Sequence, residues 1–311
     1  MRINEMSFNI NQRSQGLIIL SLLLTIFFVN LQDAKAQLNP LTSIYYQNQY
    51  LANPAMAGMD EYLKINLGYR KDAGSTPGMP VVQSFTADYG FTSKAGVGLK
   101  VYNDEAGLLQ RTSAMGSYAY HLPLGSAGQK LNFGISLGVM NERIDNADVN
   151  GDAGDNQIGR FNQREVFIDG DFGMAYTSGQ LTVQGAIPNL KTYLKKDDNN
   201  YTVDRSTFFS AVSYRFYPTQ SDGVEVEPKV AYRGVKGYDN IVDLGTNVAI
   251  SNGALNILAM WHSSQSATFG MGINYKNAFT FTGMYTTQTG EVSAISSGNF
   301  EIALSINIGR K

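Results

Sequence analysis

The stretch Phe300–Ile308 (Phe-Glu-Ile-Ala-Leu-Ser-Ile-Asn-Ile) constrains this chain most: every even position is apolar and every odd position is small or polar. That is the period of a β-strand with one face in an apolar medium and the other in a polar one. The same alternation recurs along almost the whole chain, and no stretch of helical period is available to cover the apolar face. A soluble sandwich also alternates, but it hides its apolar face in a core. A chain that repeats the pattern from end to end reads as all-β: a transmembrane antiparallel β-barrel of the outer-membrane type.

The first 36 residues read as a targeting segment. Arg2 and Arg13 lie in a polar leader, Leu17 to Val29 form an apolar run, and Ala34-Lys35-Ala36 is an A-x-A-type cleavage site that makes Gln37 the first mature residue. The apolar run is 13 residues long, short of the ~20 that a spanning helix needs. Export through a cleavable signal peptide and residence in the outer membrane are therefore expected. A mean hydropathy of -0.18 suits a barrel, in which every second strand residue meets lipid. The 18 Tyr and 16 Phe supply interfacial girdles, and the 32 Gly suit crowded, twisted strands. With 0 Cys there is no disulfide framework or thiolate metal site, and a net charge of -2 leaves no basic footprint for nucleic acid.

Alternation predicts about fourteen strands, near residues 61–70, 81–90, 94–102, 111–121, 130–140, 166–176, 180–187, 206–216, 223–233, 239–250, 254–262, 266–275, 278–287 and 298–308. The count is even, as in single-chain bacterial barrels. The intervening segments alternate in length: long Lys71–Pro80, Asn103–Gln110, Asn141–Glu165, Pro188–Arg205 and Gln288–Ser297 on one side, and tight turns such as Phe91–Ser93, Thr177–Gly179 and Lys276–Asn277 on the other. Long outer loops and short inner turns are the expected asymmetry, although it weakens around Gly234–Tyr238 and Ser263–Gln265. Parity assigns Leu131, Phe133, Ile135, Leu137 and Val139 to lipid, and likewise Phe300, Ile302, Leu304, Ile306 and Ile308. Asn132, Ser136 and Asp243 fall inside. Residues 37–60 do not alternate and carry Pro40 and Pro54, so they form an irregular arm, either at the periplasmic side or tucked into the lumen, ahead of a barrel spanning 61–311.

The arm carries a specific block, Gln49-Tyr50-Leu51-Ala52-Asn53-Pro54-Ala55-Met56-Ala57-Gly58. Its Tyr50, Asn53, Pro54, Ala55 and Gly58 resemble the Tyr…Asn-Pro-Ala…Gly signature near the mature N-terminus of the PorP/SprF family, outer-membrane proteins of the type IX secretion system in Bacteroidetes. Pro40, Ser43 and Tyr45-Tyr46-Gln47, then Gly68-Tyr69-Arg70, Ser117-Tyr118-Ala119-Tyr120, Lys130-Leu131-Asn132-Phe133-Gly134 and Phe300-Glu301-Ile302-Ala303-Leu304, extend the resemblance over the mature chain. One departure is the end, Ile308-Gly309-Arg310-Lys311, where such barrels usually finish on an aromatic residue. The resemblance implies a non-enzymatic barrel that binds the C-terminal domain of large type IX-secreted proteins, including gliding adhesins. It would support their secretion or cell-surface anchoring, with other secretion components as further partners. A solute or hydrophobic-substrate channel is the alternative. Chemically, Asn-Pro-Ala is a turn starter, so the block either shapes the arm or meets a partner.

Three other features carry possible chemistry. His121 and His262 lie at predicted strand ends, where polar rings suit the membrane interface. His262 beside Ser263 and Ser264 invites comparison with a hydrolase, but adjacent strand residues face opposite ways. Asn146, Asp148, Asn150 and Asp152 resemble the start of a calcium loop, yet its twelfth position is Gln157 in place of the bidentate Glu. Finally, Asp169, Asp171, Asp243, Glu301, Arg215 and Lys229 can all point inward, as a pore eyelet or as a hydrated network that stiffens the lumen. No cofactor is implied.

Overall fold

The structure is a computed structural model that describes residues 41, 43–74, 78–125, 128–144, 166–194, 206–218, 223–235, 239–287 and 297–309. The expected signal segment lies outside the described residues. Fourteen antiparallel strands close into one barrel. They are β1 Leu63–Ala73, β2 Val81–Thr92, β3 Ala95–Ala106, β4 Leu109–Pro123, β5 Gln129–Ile144, β6 Phe167–Ser178, β7 Leu181–Ile187, β8 Ser206–Tyr214, β9 Glu225–Val235, β10 Ile241–Ile250, β11 Leu255–His262, β12 Ser266–Tyr275, β13 Phe279–Thr287 and β14 Gly298–Ile308. Each strand pairs with its sequence neighbours, and β14 closes on β1 in a register that sets Leu63 opposite Ile308 and Arg70 opposite Glu301.

The barrel is inside-out relative to a soluble protein. On β5, Ile135, Leu137 and Val139 are 54, 67 and 46% exposed, while Asn132 and Ser136, of the opposite parity, are 0 and 1% exposed. On β14, Phe300, Ile302 and Ile308 are exposed on the outer face and Asn299 and Glu301 are buried. An apolar exterior around a polar interior is stable when the exterior meets lipid, and closure leaves no open sheet edge to desolvate. Exposed aromatics gather toward both ends of the wall: Tyr89, Phe91, Tyr120, Tyr214, Tyr275 and Phe279 toward the turn side, and Tyr69, Phe208, Tyr232 and Phe300 toward the loop side.

One expected loop is wall. Asn103–Gln110 is not a long connection, because β3 and β4 run on to a tight hairpin at Gly107 and Leu108, with Gly107 at φ 59. Polar residues on both faces there mimic a loop in sequence. In space they are a strand pair: Thr112 Oγ1 donates to Asn103 Oδ1 outside (2.7 Å), and Arg111 meets Asp104 (3.8 Å) and Glu142 (3.0 Å) inside. By contrast β7 stops after 7 residues. Pro188 follows it, and Asn189 takes a left-handed φ of 56. The chain then forms helix α2, Lys191–Leu194, held to β6 by Lys191 N donating to Asp169 Oδ1 (2.9 Å) and Leu190 N donating to the Gly170 carbonyl (2.8 Å).

The two faces of β14 should tolerate charge very differently. Ile302→Arg should cost about 2–4 kcal/mol near the bilayer midplane, whereas Ser305→Arg, on the polar face, should cost much less. Denaturant unfolding in lipid vesicles reads the difference, and equal costs would contradict the assignment.

Candidate functional site in the lumen

The lumen is threaded by the residues that precede β1. Two 3-10 turns, Ser43–Tyr46 and Pro54–Met56, flank one helical turn, α1, Gln49–Ala52. The arm starts at the loop side, where Arg233 Nη1 donates to the Leu41 carbonyl (3.2 Å), and leaves at the turn side, where Gly90 N donates to the Asp60 carbonyl (3.1 Å). Between the two placements open for it at the sequence level, the lumen is the one observed.

A segment folded as isolated turns leaves many backbone groups unpaired, and buried ones must find partners. Lumen side chains provide them. Glu301 Oε1 and Oε2 accept from Ser43 N (3.0 Å) and Ile44 N (3.2 Å). Lys229 Nζ donates to the Tyr46 carbonyl (2.7 Å), and Asp88 Oδ2 accepts from Gly58 N (2.9 Å). His121 bridges Asn132 Oδ1 (2.8 Å) and the Ala57 carbonyl (3.1 Å).

Arm side chains add their own bonds. Tyr45 Oη donates to Asp243 Oδ2 (2.6 Å), Asn48 Nδ2 donates to Thr86 Oγ1 (2.9 Å), and Tyr50 Oη pairs with Ser117 Oγ (2.8 Å).

The Asn-Pro-Ala block is the tightest part of this contact. Asn53 Oδ1 accepts from Ala55 N (3.0 Å), capping the Pro54–Met56 turn, and Nδ2 donates to the Met174 carbonyl (3.1 Å) and Gln184 Oε1 (3.2 Å). Asn53, Ala55 and Ala57 are 0% exposed. A Cβ on Gly134 would collide with the backbone of Pro54 and Ala55, and one on Gly173 would collide with the Asn53 side chain. Gly58 turns the chain toward the wall with φ 63, a conformation suited to glycine.

Both histidines depart from the sequence expectation. They sit inside the barrel, not at the membrane interface, because His121 and His262 share the parity of the buried wall residues. His262 Nδ1 donates to Asp243 Oδ1 (2.6 Å), and Nε2 lies 2.8 Å from Thr268 Oγ1, which in turn reaches Ser43 Oγ (3.1 Å) and Thr286 Oγ1 (2.7 Å). The order Asp–His–hydroxyl is that of a hydrolytic triad. Here Asp243, His262 and Thr268 are no more than 1% exposed, and Asp243 also takes Arg233 Nε and Nη2 (2.6 and 2.8 Å). The arrangement is a sealed chain of hydrogen bonds that fixes the arm. Ser263 faces elsewhere, accepting from Val242 N (2.9 Å).

Of the six inward charges read from sequence, Asp169, Asp171, Asp243, Glu301 and Lys229 are buried in the lumen. Arg215 is not among them, because it lies past the end of β8, where Nη2 donates to the Gly179 carbonyl (3.3 Å). Those that face the arm do not form a simple hydrated network: Glu301, Lys229 and Asp243 hold the arm directly. Sequence reasoning missed this role. The signal available was glycine at inward parity, at Gly68, Gly98, Gly134 and Gly173, where a water-filled lumen would accept any side chain but an arm leaves no room. The calcium candidates Asn146, Asp148, Asn150 and Asp152 lie outside the described residues, as does most of the loops 141–165, 188–205 and 288–297.

Two substitutions test the docking. Asn53→Ala removes three hydrogen bonds and should destabilise the arm by about 1–3 kcal/mol. Gly134→Leu should displace it sterically while leaving the strands paired. Limited proteolysis should then cut within residues 43–58 in both variants and spare them in the native chain.

Comparison with known proteins finds a match over most of the chain: a family profile described as type IX secretion system membrane protein PorP/SprF covers residues 34–306. No match is found among curated proteins. Among solved structures, the chain is similar to the Acinetobacter baumannii outer membrane protein Omp33, at 7% identity and a TM-score of 0.49, over 81% of this chain and 100% of that one. It is also similar to the Pseudomonas putida toluene transporter TodX, at 10% identity and 0.48, over 84% and 94% of the two chains. A third is the CymD monoaromatic hydrocarbon channel, at 9% and 0.49, over 88% and 94%.

Proposed function

Because the chain belongs to the PorP/SprF family of type IX secretion system membrane proteins, we propose that it is a non-enzymatic anchor in the outer membrane. It would bind the C-terminal domain of large secreted proteins, such as gliding adhesins, and support their secretion or surface attachment alongside other secretion components. Its signal peptide would be removed after Ala36. The long loops would face outward and the short turns would face the periplasm.

The observation that supports an anchor over a channel is the arm. A conduit needs a continuous polar path, whereas the lumen here is crossed from loop side to turn side by a segment whose Asn53, Ala55 and Ala57 are fully buried. Buried wall charges also hold that segment, among them Asp88, Lys229, Arg233, Asp243 and Glu301. Charged lumen residues in open channels line water, and their exposure lets them tune selectivity. An interior crossed by a hydrogen-bonded segment instead gives a rigid platform, and binding costs fall when the binding surface is preorganised.

The test is native affinity purification of the tagged barrel from outer membranes, read by mass spectrometry. Co-purification of a large secreted protein, lost when its C-terminal domain is deleted, is the expected result. Recovery of the barrel alone from cells making such cargo, together with a steady single-pore current in planar bilayers, would overturn the anchor in favour of the channel.

A further inference from the structure

Below the arm, on the turn side of the lumen, lies a cavity of about 250 Å³. An adjoining hollow of about 630 Å³ shares Asn247, Asn256 and Asn274 with it. These sizes are on the order of small-ligand sites, about 300–1,000 Å³. The cavity lining combines amides and hydroxyls, from the same three asparagines with Asn307, Thr280 and Ser305, with apolar surface from Ile44, Tyr46 and Ala303. Lys64 and Glu227 also border it and are of opposite sign, so the site selects no net charge.

The asparagines are oriented by their own bonds. Asn307 Nδ2 donates to the Asn277 carbonyl (2.8 Å), and Asn256 Nδ2 donates to the Gly253 carbonyl (3.1 Å), which fixes each amide with its oxygen as the remaining acceptor. Asn274 Oδ1 accepts from Asn277 N (2.8 Å), which leaves its NH2 as a donor. Asn247 Oδ1 and Asn307 Oδ1 are buried without a hydrogen-bond partner among the described residues. Buried acceptors of this kind are costly unless something donates to them.

We propose that this turn-side cavity is a binding site for a short, extended, uncharged stretch of polypeptide entering from the turn side. An extended chain offers alternating N–H and C=O groups at about 3.3 Å per residue, which suits amide acceptors and donors set on neighbouring strands. The same lumen already recognises main chain in this way: Glu301, Lys229, Asp88 and Arg233 all bond to backbone atoms of the arm. The cavity continues that chemistry without charge. It lies at the opposite end of the barrel from the long loops, so it stands or falls independently of the cargo reading.

The experiment uses the full chain in detergent micelles and saturation-transfer NMR. One probe is a blocked hexapeptide of glycine, serine and threonine; the other is the disaccharide of N-acetylglucosamine, which offers hydroxyl and amide groups without an extended backbone. Transfer to the peptide and little to the disaccharide is the expected result. The double variant Asn247→Leu, Asn307→Leu and the cavity-filling Ser305→Phe should each reduce peptide transfer by at least about fivefold, the worth of one typical hydrogen bond. Heat-modifiable gel migration and an uncut arm verify that both variants are folded. No transfer to the peptide, equal transfer in the folded variants, or a disaccharide signal equal to the peptide's would each overturn the proposal.

Discussion

The carboxylates of Glu301 and Asp243 are the constraint on which the rest of the interior depends. Each is buried in the wall of a membrane barrel, where an ionised group is tolerated only if it is paired and fully hydrogen-bonded. Glu301 meets that need with two arm amides, Ser43 N and Ile44 N. Asp243 meets it with Arg233, His262 and Tyr45. Removing the arm would therefore expose more than a hole: Glu301 would lose both backbone donors, and Asp243 would lose Tyr45 and keep only its wall partners Arg233 and His262. The arm needs the wall equally, since its short turns supply few backbone bonds of their own. This mutual satisfaction explains why a segment with so little regular structure is so deeply buried.

Packing follows from the same logic. The arm comes closest to the wall backbone where the wall has no side chain. Gly134 and Gly173 lie against Pro54 and Asn53, and Gly98 lies against the Tyr50 ring. The Tyr50 phenol then reaches Ser117, which continues to Ser136. Within the Asn-Pro-Ala block, Asn53 caps its own turn and also grips β6 and β7. Local turn chemistry and wall attachment thus reside in one side chain. In this chain the motif anchors a segment that crosses the lumen, which makes the interior part of the scaffold.

Much of this was legible in the sequence, for a physical reason. Strand alternation is dictated by the pleat, and a wall between lipid and a polar interior enforces it on every strand. Hence the strands and their facing, such as Leu137 out and Ser136 in, could be read residue by residue. What escaped was decided by contacts distant in sequence. Asn103–Glu105 looks like a loop because the wall there is polar on both faces. His121 and His262 look interfacial by their place at strand ends, and their inward roles depend on Ala57 and Asp243. The interior charges could be counted, but their partner was an arm 258 residues from Glu301 in the chain, and no local pattern links the two.

Hydrogen–deuterium exchange of the native barrel, read over residues 43–58, tests the central claim most directly. Exchange protection depends on buried, hydrogen-bonded amides and reports opening on the minutes-to-hours scale. The amides of Ser43, Ile44, Ala55 and Gly58 should exchange as slowly as those of the flanking strands β1 and β14. Exchange at the rate of an unstructured peptide, with the strands still protected, would show that the arm does not occupy the lumen and that the barrel is open.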